Sequence, residues 1–167
     1  MKEAIVYLFK KPNLLFDYIV VIPFGVAMVI FLITLIPHPL ALLMTCAVPG
    51  VLLFYHVYSI RVIQQFINYD SGKRVEISQD RLILKFTQGD KTITIHSDEV
   101  AIVELYEAKE LGKITNPSYL IIHTTDGRDL LITQFTIRLL LFDKPLEKFL
   151  RKKPRIYHKQ LFNFIKK

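Results

Sequence analysis

The sequence predicts an α+β membrane protein: an N-terminal two-helix transmembrane hairpin, then an antiparallel β-module of six or seven strands closed by a C-terminal amphipathic helix. Three observations carry this. Residues 18–36 and 40–60 hold no formally charged side chain, residues 73–135 alternate in short runs broken by turn residues, and residues 143–167 hold nine basic against two acidic residues. The net charge of +7 is therefore a property of the C-terminal segment.

Length and composition exclude several classes. A chain of 167 residues that is 51% hydrophobic leaves room for one compact module beside an apolar segment. The single cysteine, Cys46, lies in an apolar run, so no internal disulfide, CxxC redox pair or thiolate zinc site is possible. Sparse glycine, evenly spread charge and no low-complexity tract argue against disorder and repeats.

At ~1.5 Å rise per residue each uncharged run is about 30 Å long as a helix, the thickness of a hydrocarbon core. Neither run has the polar face of a soluble surface helix. Spans of about 14–36 and 40–60 are expected within a hairpin of residues 14–68, turned by Pro37, His38 and Pro39 because each proline lacks an amide donor and restricts its predecessor. Lys2, Lys10 and Lys11 precede the first span, and Arg61, Lys73 and Arg74 follow the second. The turn carries no lysine or arginine, so both termini and the β domain are expected in the cytoplasm of a bacterial inner-membrane protein. Residues 1–13, with Ile5, Val6, Leu8 and Phe9 among lysines, read as an interfacial amphipathic helix. Asp17 and His56 fall at matching depth in an antiparallel hairpin and form a candidate intramembrane polar pair. Pro23, Gly25, Pro49 and Gly50 are candidate packing or kink positions.

Beyond Arg61, Val62, Ile63, Phe66 and Ile67 keep helical spacing to about Asn68, and Asp70, Ser71 and Gly72 stop the helix. Strands follow at Val75–Ser78, Arg81–Thr87, Lys91–His96, Val100–Ala108, Tyr119–Thr125 and Asp129–Phe135. Gln79-Asp80, Gln88-Gly89-Asp90 and the Asp126-Gly127 pair supply their tight turns, the last being the type I′ hairpin signal. In the third strand Ile93 and Ile95 alternate with Thr92, Thr94 and His96, the pattern of a half-buried antiparallel strand. Residues 137–142 fit a strand or a helix start. Asp143 with Pro145 then opens a helix whose Leu146, Phe149 and Leu150 form one stripe.

Two N-terminal spans, a meander of six or seven strands and one closing helix resemble the membrane-anchored bacterial pleckstrin-homology-like (PH-like) families. The resemblance implies a PH-like barrel or sandwich over residues 73–152, a basic-aromatic tail over 153–167, and a binding or assembly role without catalysis. Phosphoinositide-reading members carry several basic residues in the loop joining their first two strands. Here that loop is Ser78, Gln79 and Asp80, flanked only by Arg74 and Arg81.

The tail offers Lys148, Arg151, Lys152, Lys153, Arg155, Lys159, Lys166 and Lys167 interleaved with Phe149, Ile156, Tyr157, Phe162 and Phe164, a candidate surface for anionic lipid. Lipid is favoured over nucleic acid as its partner, because a tail tethered to a bilayer meets headgroups at high effective concentration. His38, His56, His96, His123 and His158 show no metal spacing, and no nucleophile elbow, P-loop or dinucleotide turn occurs. Glu104, Glu107 and Glu110 read as surface acids. No cofactor, metal or catalytic residue is expected. The functional expectation is a non-enzymatic integral membrane scaffold or accessory subunit that presents the module to another membrane protein or a second copy. The alternatives are an anionic-lipid-facing module and an enzyme or transporter component using Asp17 and His56.

Overall fold

The computed structural model describes residues 4–35, 39–108, 117–137 and 144–165. The first element is a strand, β1 (Ile5–Leu8), and not the interfacial helix expected over residues 1–13. Ile5 to Leu8 pair antiparallel with Ile77 to Arg74 of β2 (Lys73–Ser78). Backbone pairing with a strand some seventy residues away outweighs the weak local amphipathicity that suggested a helix.

Between these two paired strands the chain leaves the sheet, builds two helices and returns. Asn13 Oδ1 accepts the amide of Leu15 at 2.9 Å and caps α1 (Leu15–Leu35). The second helix, α2 (Pro39–Asp70), runs unbroken through Pro49. Tyr18 meets Gln64 and Met28 meets Gly50 across the two helices, so the two run antiparallel.

The membrane reading is corrected here. Among the described residues no helix is long and apolar enough to cross a membrane. The helices of residues 14–68 therefore do not form the expected transmembrane hairpin, and the expected inner-membrane placement is not supported. A physical reason is visible in α2: the run that reads as a span to Ile60 belongs to one continuous helix whose later part packs on protein. Ser59, Ile60, Val62, Ile63 and Phe66 are buried there. In α1, Asp17 and Pro23 lie within the helix itself. What the two uncharged runs build is a helical hairpin inserted between β1 and β2.

The rest is a two-sheet sandwich rather than a closed barrel. One sheet has the order β1-β2-β3-β4, adding β3 (Ile83–Gln88) and β4 (Lys91–His96). The other has the order β7-β6-β5-β8, from β5 (Val100–Ala108), β6 (Tyr119–Thr124), β7 (Asp129–Thr133) and β8 (Arg155–Gln160). Among the described strands only β5 and β8 pair in parallel. Alternation sets the faces. Val75, Ile77, Leu84, Phe86 and Ile95 of the first sheet meet Val103, Leu120, Ile122, Leu130 and Ile132 of the second. The short helix α3 (Lys144–Phe149) closes the open end by inserting Leu146 and Phe149 into this core.

One further expectation changes. The closing helix is present over Lys144–Phe149, but the basic-aromatic tail contributes a strand, β8, to the second sheet. Its backbone satisfies the edge of β5, which no local pattern announces. Residues 138–142 of the ambiguous segment lie outside the described residues, as does the Pro37-His38 part of the expected turn.

The outer face of the second sheet carries a smaller core. Val62 and Phe66 of α2 lie against Tyr106, Tyr119, Leu131 and Ile165. The segment after β8 crosses α2, with the Phe162 ring 5.4 Å from Tyr55 and 5.3 Å from Tyr58. Gln65 accepts the Ile165 amide at 3.0 Å and donates to the Ile165 carbonyl at 3.3 Å. At the end of α2, Asp70 accepts the hydroxyls of Thr133 and Thr136. Two separate ties thus fix the hairpin's direction on the sandwich.

Candidate functional site

The outer face of the second sheet is covered unevenly. Residues whose side chains alternate onto it are Tyr119, Ile121 and His123 of β6, Glu104 and Tyr106 of β5, Asp129, Leu131 and Thr133 of β7, and His158 of β8. At the Tyr119 end α2 and the C-terminal segment cover them, and at the His123 end they do not. Between lies a cleft of about 540 Å³ lined by Gln65, Asn68, Tyr69, Ile121, Asp129, Leu131 and Ile165.

A line of titratable groups crosses the strands at the uncovered end. Asp129 Oδ1 lies 2.7 Å from His123 Nδ1, and His123 Nε2 lies 3.7 Å from Glu104 Oε1. Glu104 Oε2 lies 3.5 Å from His158 Nε2 on the other side and accepts the Tyr106 hydroxyl at 2.5 Å. The Tyr106 ring stacks on both His158, at 4.4 Å, and Tyr119, at 4.5 Å. Burial pushes the Tyr106 phenol well above its usual range, and the hydrogen bond to Glu104 adds to the effect. The line holds two carboxyl groups, Asp129 and Glu104, in a chain of net charge +7. Among the described residues no group of His, Cys, Asp and Glu is placed to hold a metal ion.

A second polar cluster joins α2 to β2. The Lys73 ammonium is 3% exposed and lies over the Tyr69 ring, 2.7 Å from its centroid, with the Phe86 ring at 5.5 Å. Burial lowers the Lys73 pKa to about 8, against which the Asp70 charge acts only partly. The Asp70 carboxyl is raised, mainly by burial, in spite of the two threonine hydroxyls and Lys73. Tyr69 is raised to about 12 by burial and the Asp70 charge.

The candidate residues from the sequence fall as follows. His56 is half-buried on α2 beside the Tyr55 ring, at 6.2 Å between centroids. The Asp17 side chain lies outside the described residues, and with it the postulated pair. Gly50 meets Met28 Cε at 3.7 Å, whereas a Cβ at Gly25 would meet open space. Pro23 and Pro49 sit within continuous helices. Lys148, Arg151, Lys152 and Lys159 are exposed. Lys153 and Arg155 are engaged with other parts of the fold: the Lys153 ammonium donates to the Val100 carbonyl at 2.8 Å, and Arg155, at an exposed position, donates to Glu147 at 2.9 Å. Lys166 and Lys167 lie outside the described residues.

Sequence reasoning missed the Asp129-His123-Glu104-His158 line, finding no metal spacing at His123 or His158 and reading Glu104 as a surface acid. Strand parity places Ile121 and His123 on one face. The missing signal is register, since Glu104 pairs with Ile121 in one direction and with Ile156 in the other only once β8 is known as a strand.

Among the described residues, eight strands in two sheets, sealed by a helix at one end, with a cleft outside the sandwich, define the fold. A family model of the PH domain matches residues 4–145, and the chain belongs to that family. The match begins just before β1 and ends in α3, so it spans the helical hairpin that lies between β1 and β2, and β8 follows it. No curated protein and no solved structure matches the chain.

Proposed function

We propose that the chain is a non-catalytic adaptor in which the PH sandwich is a rigid platform and the inserted hairpin packs against apolar helices of a protein partner. One observation carries this reading. Ile19, Ile22, Val26, Val29, Ile30 and Ile33 of α1, with Val51 and Phe54 of α2, are all more than half exposed. Contiguous apolar surface of this extent marks an interaction site, because leaving it in water is costly. The ties of α2 to Ile165 and Thr133 hold the hairpin in one direction, which reduces the ordering cost of docking.

The test is gentle extraction of the intact chain followed by measurement of the native mass of the particle that contains it. A particle of fixed stoichiometry that falls apart when Ile30→Glu and Val29→Glu are introduced, with the sandwich still folded, supports the reading. A monomer of unchanged mass with and without these substitutions contradicts it.

A second reading, contact with an anionic lipid surface, is favoured by the exposed group Lys148, Arg151 and Lys152 around the end of α3. Binding to vesicles that requires acidic lipid and declines with added salt would support it. Binding that ignores both would remove it.

A further inference from the structure

The cleft between α2 and the second sheet has a composition that specifies more than a hole. Its volume of about 540 Å³ falls in the range of small-molecule sites. Its floor is Ile121 and Leu131, with Ile165 as a side wall, so the body of an occupant must be apolar. Gln65 is engaged in both directions with the Ile165 backbone, and the Tyr69 hydroxyl points to the Leu131 carbonyl at 3.5 Å. Of the described lining residues, only Asp129 bears a formal charge.

We propose that this cleft binds a small amphipathic cation, an amine on an apolar body, with the amine at Asp129 and the body on Ile121, Leu131 and Ile165. A carboxylate is an acceptor without a donor, so it selects N–H-bearing or cationic groups and repels anions. Its setting strengthens that sign. Asp129 contacts His123, and behind His123 stands Glu104, so two carboxylates flank one imidazole. Among the described residues, neither lysine nor arginine lines the cleft to offset them. Asp129 is also exposed enough to receive a hydrated ammonium without full desolvation, its side chain being 64% accessible.

The experiment is calorimetric titration of the full chain with phenylbutylamine, phenylbutanol and phenylbutyrate, which share one apolar body. The amine binds about tenfold or more tightly than the alcohol, as expected for one charge-assisted hydrogen bond. The acid binds more weakly than either. Asp129→Asn removes the preference for the amine over the alcohol, and Asn68→Trp, at an exposed position on the rim, blocks both. Equal affinities for the amine and the alcohol, or an unchanged preference in Asp129→Asn, would overturn the charge assignment. Undiminished binding in Asn68→Trp would overturn the location, because the apolar hairpin would then be holding the probes.

Discussion

Thr133, on the last antiparallel strand of the second sheet, donates its hydroxyl to the Asp70 carboxylate that ends α2, and Thr136 donates to the same oxygen from 3.0 Å. The carboxylate is 1% exposed, so it stands where water cannot stabilise it and depends on these two hydroxyls. This relationship sets how the inserted hairpin re-enters the domain.

Replacing Asp70 with Ala leaves both hydroxyls without their acceptor and Lys73 without its neighbouring charge. Unfolding by urea should show a loss of about 1–3 kcal/mol. Asp70→Asn keeps an acceptor and removes a buried charge, so it should cost less than the alanine change. A larger loss for Asn than for Ala would refute this account of the site.

Lys73 makes a pH prediction with a definite sign. Its pKa is about 8 in the fold and 10.5 when unfolded, so between those values the unfolded chain binds more protons. Stability contributed by this group therefore rises as pH increases from about 8 towards 10.5, and its protonation opposes folding below that window. Asp70 has its folded pKa above 3.8, so its ionisation works against folding as pH rises through that range. Lys73→Met should flatten the alkaline rise in a series of denaturation midpoints, and a slope identical to that of the parent protein would count against it.

Leu82 has φ of 51°, in the left-handed region where a side chain is strained, while its carbonyl accepts the Ser97 amide at 2.9 Å. Leu82→Gly should relieve that strain and raise stability by roughly 0.5–1 kcal/mol, offset in part by the freer unfolded chain. Thermal melting of the two proteins side by side decides it, with a lower melting temperature for the glycine form as the adverse result.

Asn163 is fully buried and its amide donates to the carbonyls of Tyr106, at 3.4 Å, and Pro117, at 3.2 Å. Asn163→Ala should release the end of the C-terminal segment and cost about 1–3 kcal/mol. Amide exchange should quicken in residues 155–160 before it does in β2 or β3. Uniform acceleration through the chain would mean that the segment is no independent unit.

The β-meander was legible because its evidence is local. Ile93 and Ile95 alternate against threonines, and Gly127 turns the last hairpin at φ of 83°. Asp126 is not at positive φ and the Gly127 amide donates to the Thr124 carbonyl, so the loop has three residues with a left-handed glycine and is not the expected type I′ turn. What escaped was non-local. Ile5–Leu8 is too short to declare its period, and its partner lies beyond the whole hairpin. β8 carries Arg155, Tyr157 and Lys159 on one side, and basic residues with aromatics suggested a surface tail instead of an edge strand beside β5. The acidic line followed from that omission, since His158 reaches Glu104 only when β8 is in place. The two uncharged runs gave two real helices, but apolar composition alone did not reveal that α2 continues from Ser59 onto the sandwich.

The central claim is that the hairpin, and not the sandwich, is the surface that meets a protein partner. The most direct measurement places a photo-crosslinking residue at Val29 on α1 in one version of the full chain and at Lys85 on β3 in another, activates it in cells, and identifies what is attached. The account predicts one recurring protein adduct from Val29, at defined stoichiometry, and none of it from Lys85. The same adducts from both positions, or no protein adduct from Val29, would contradict it.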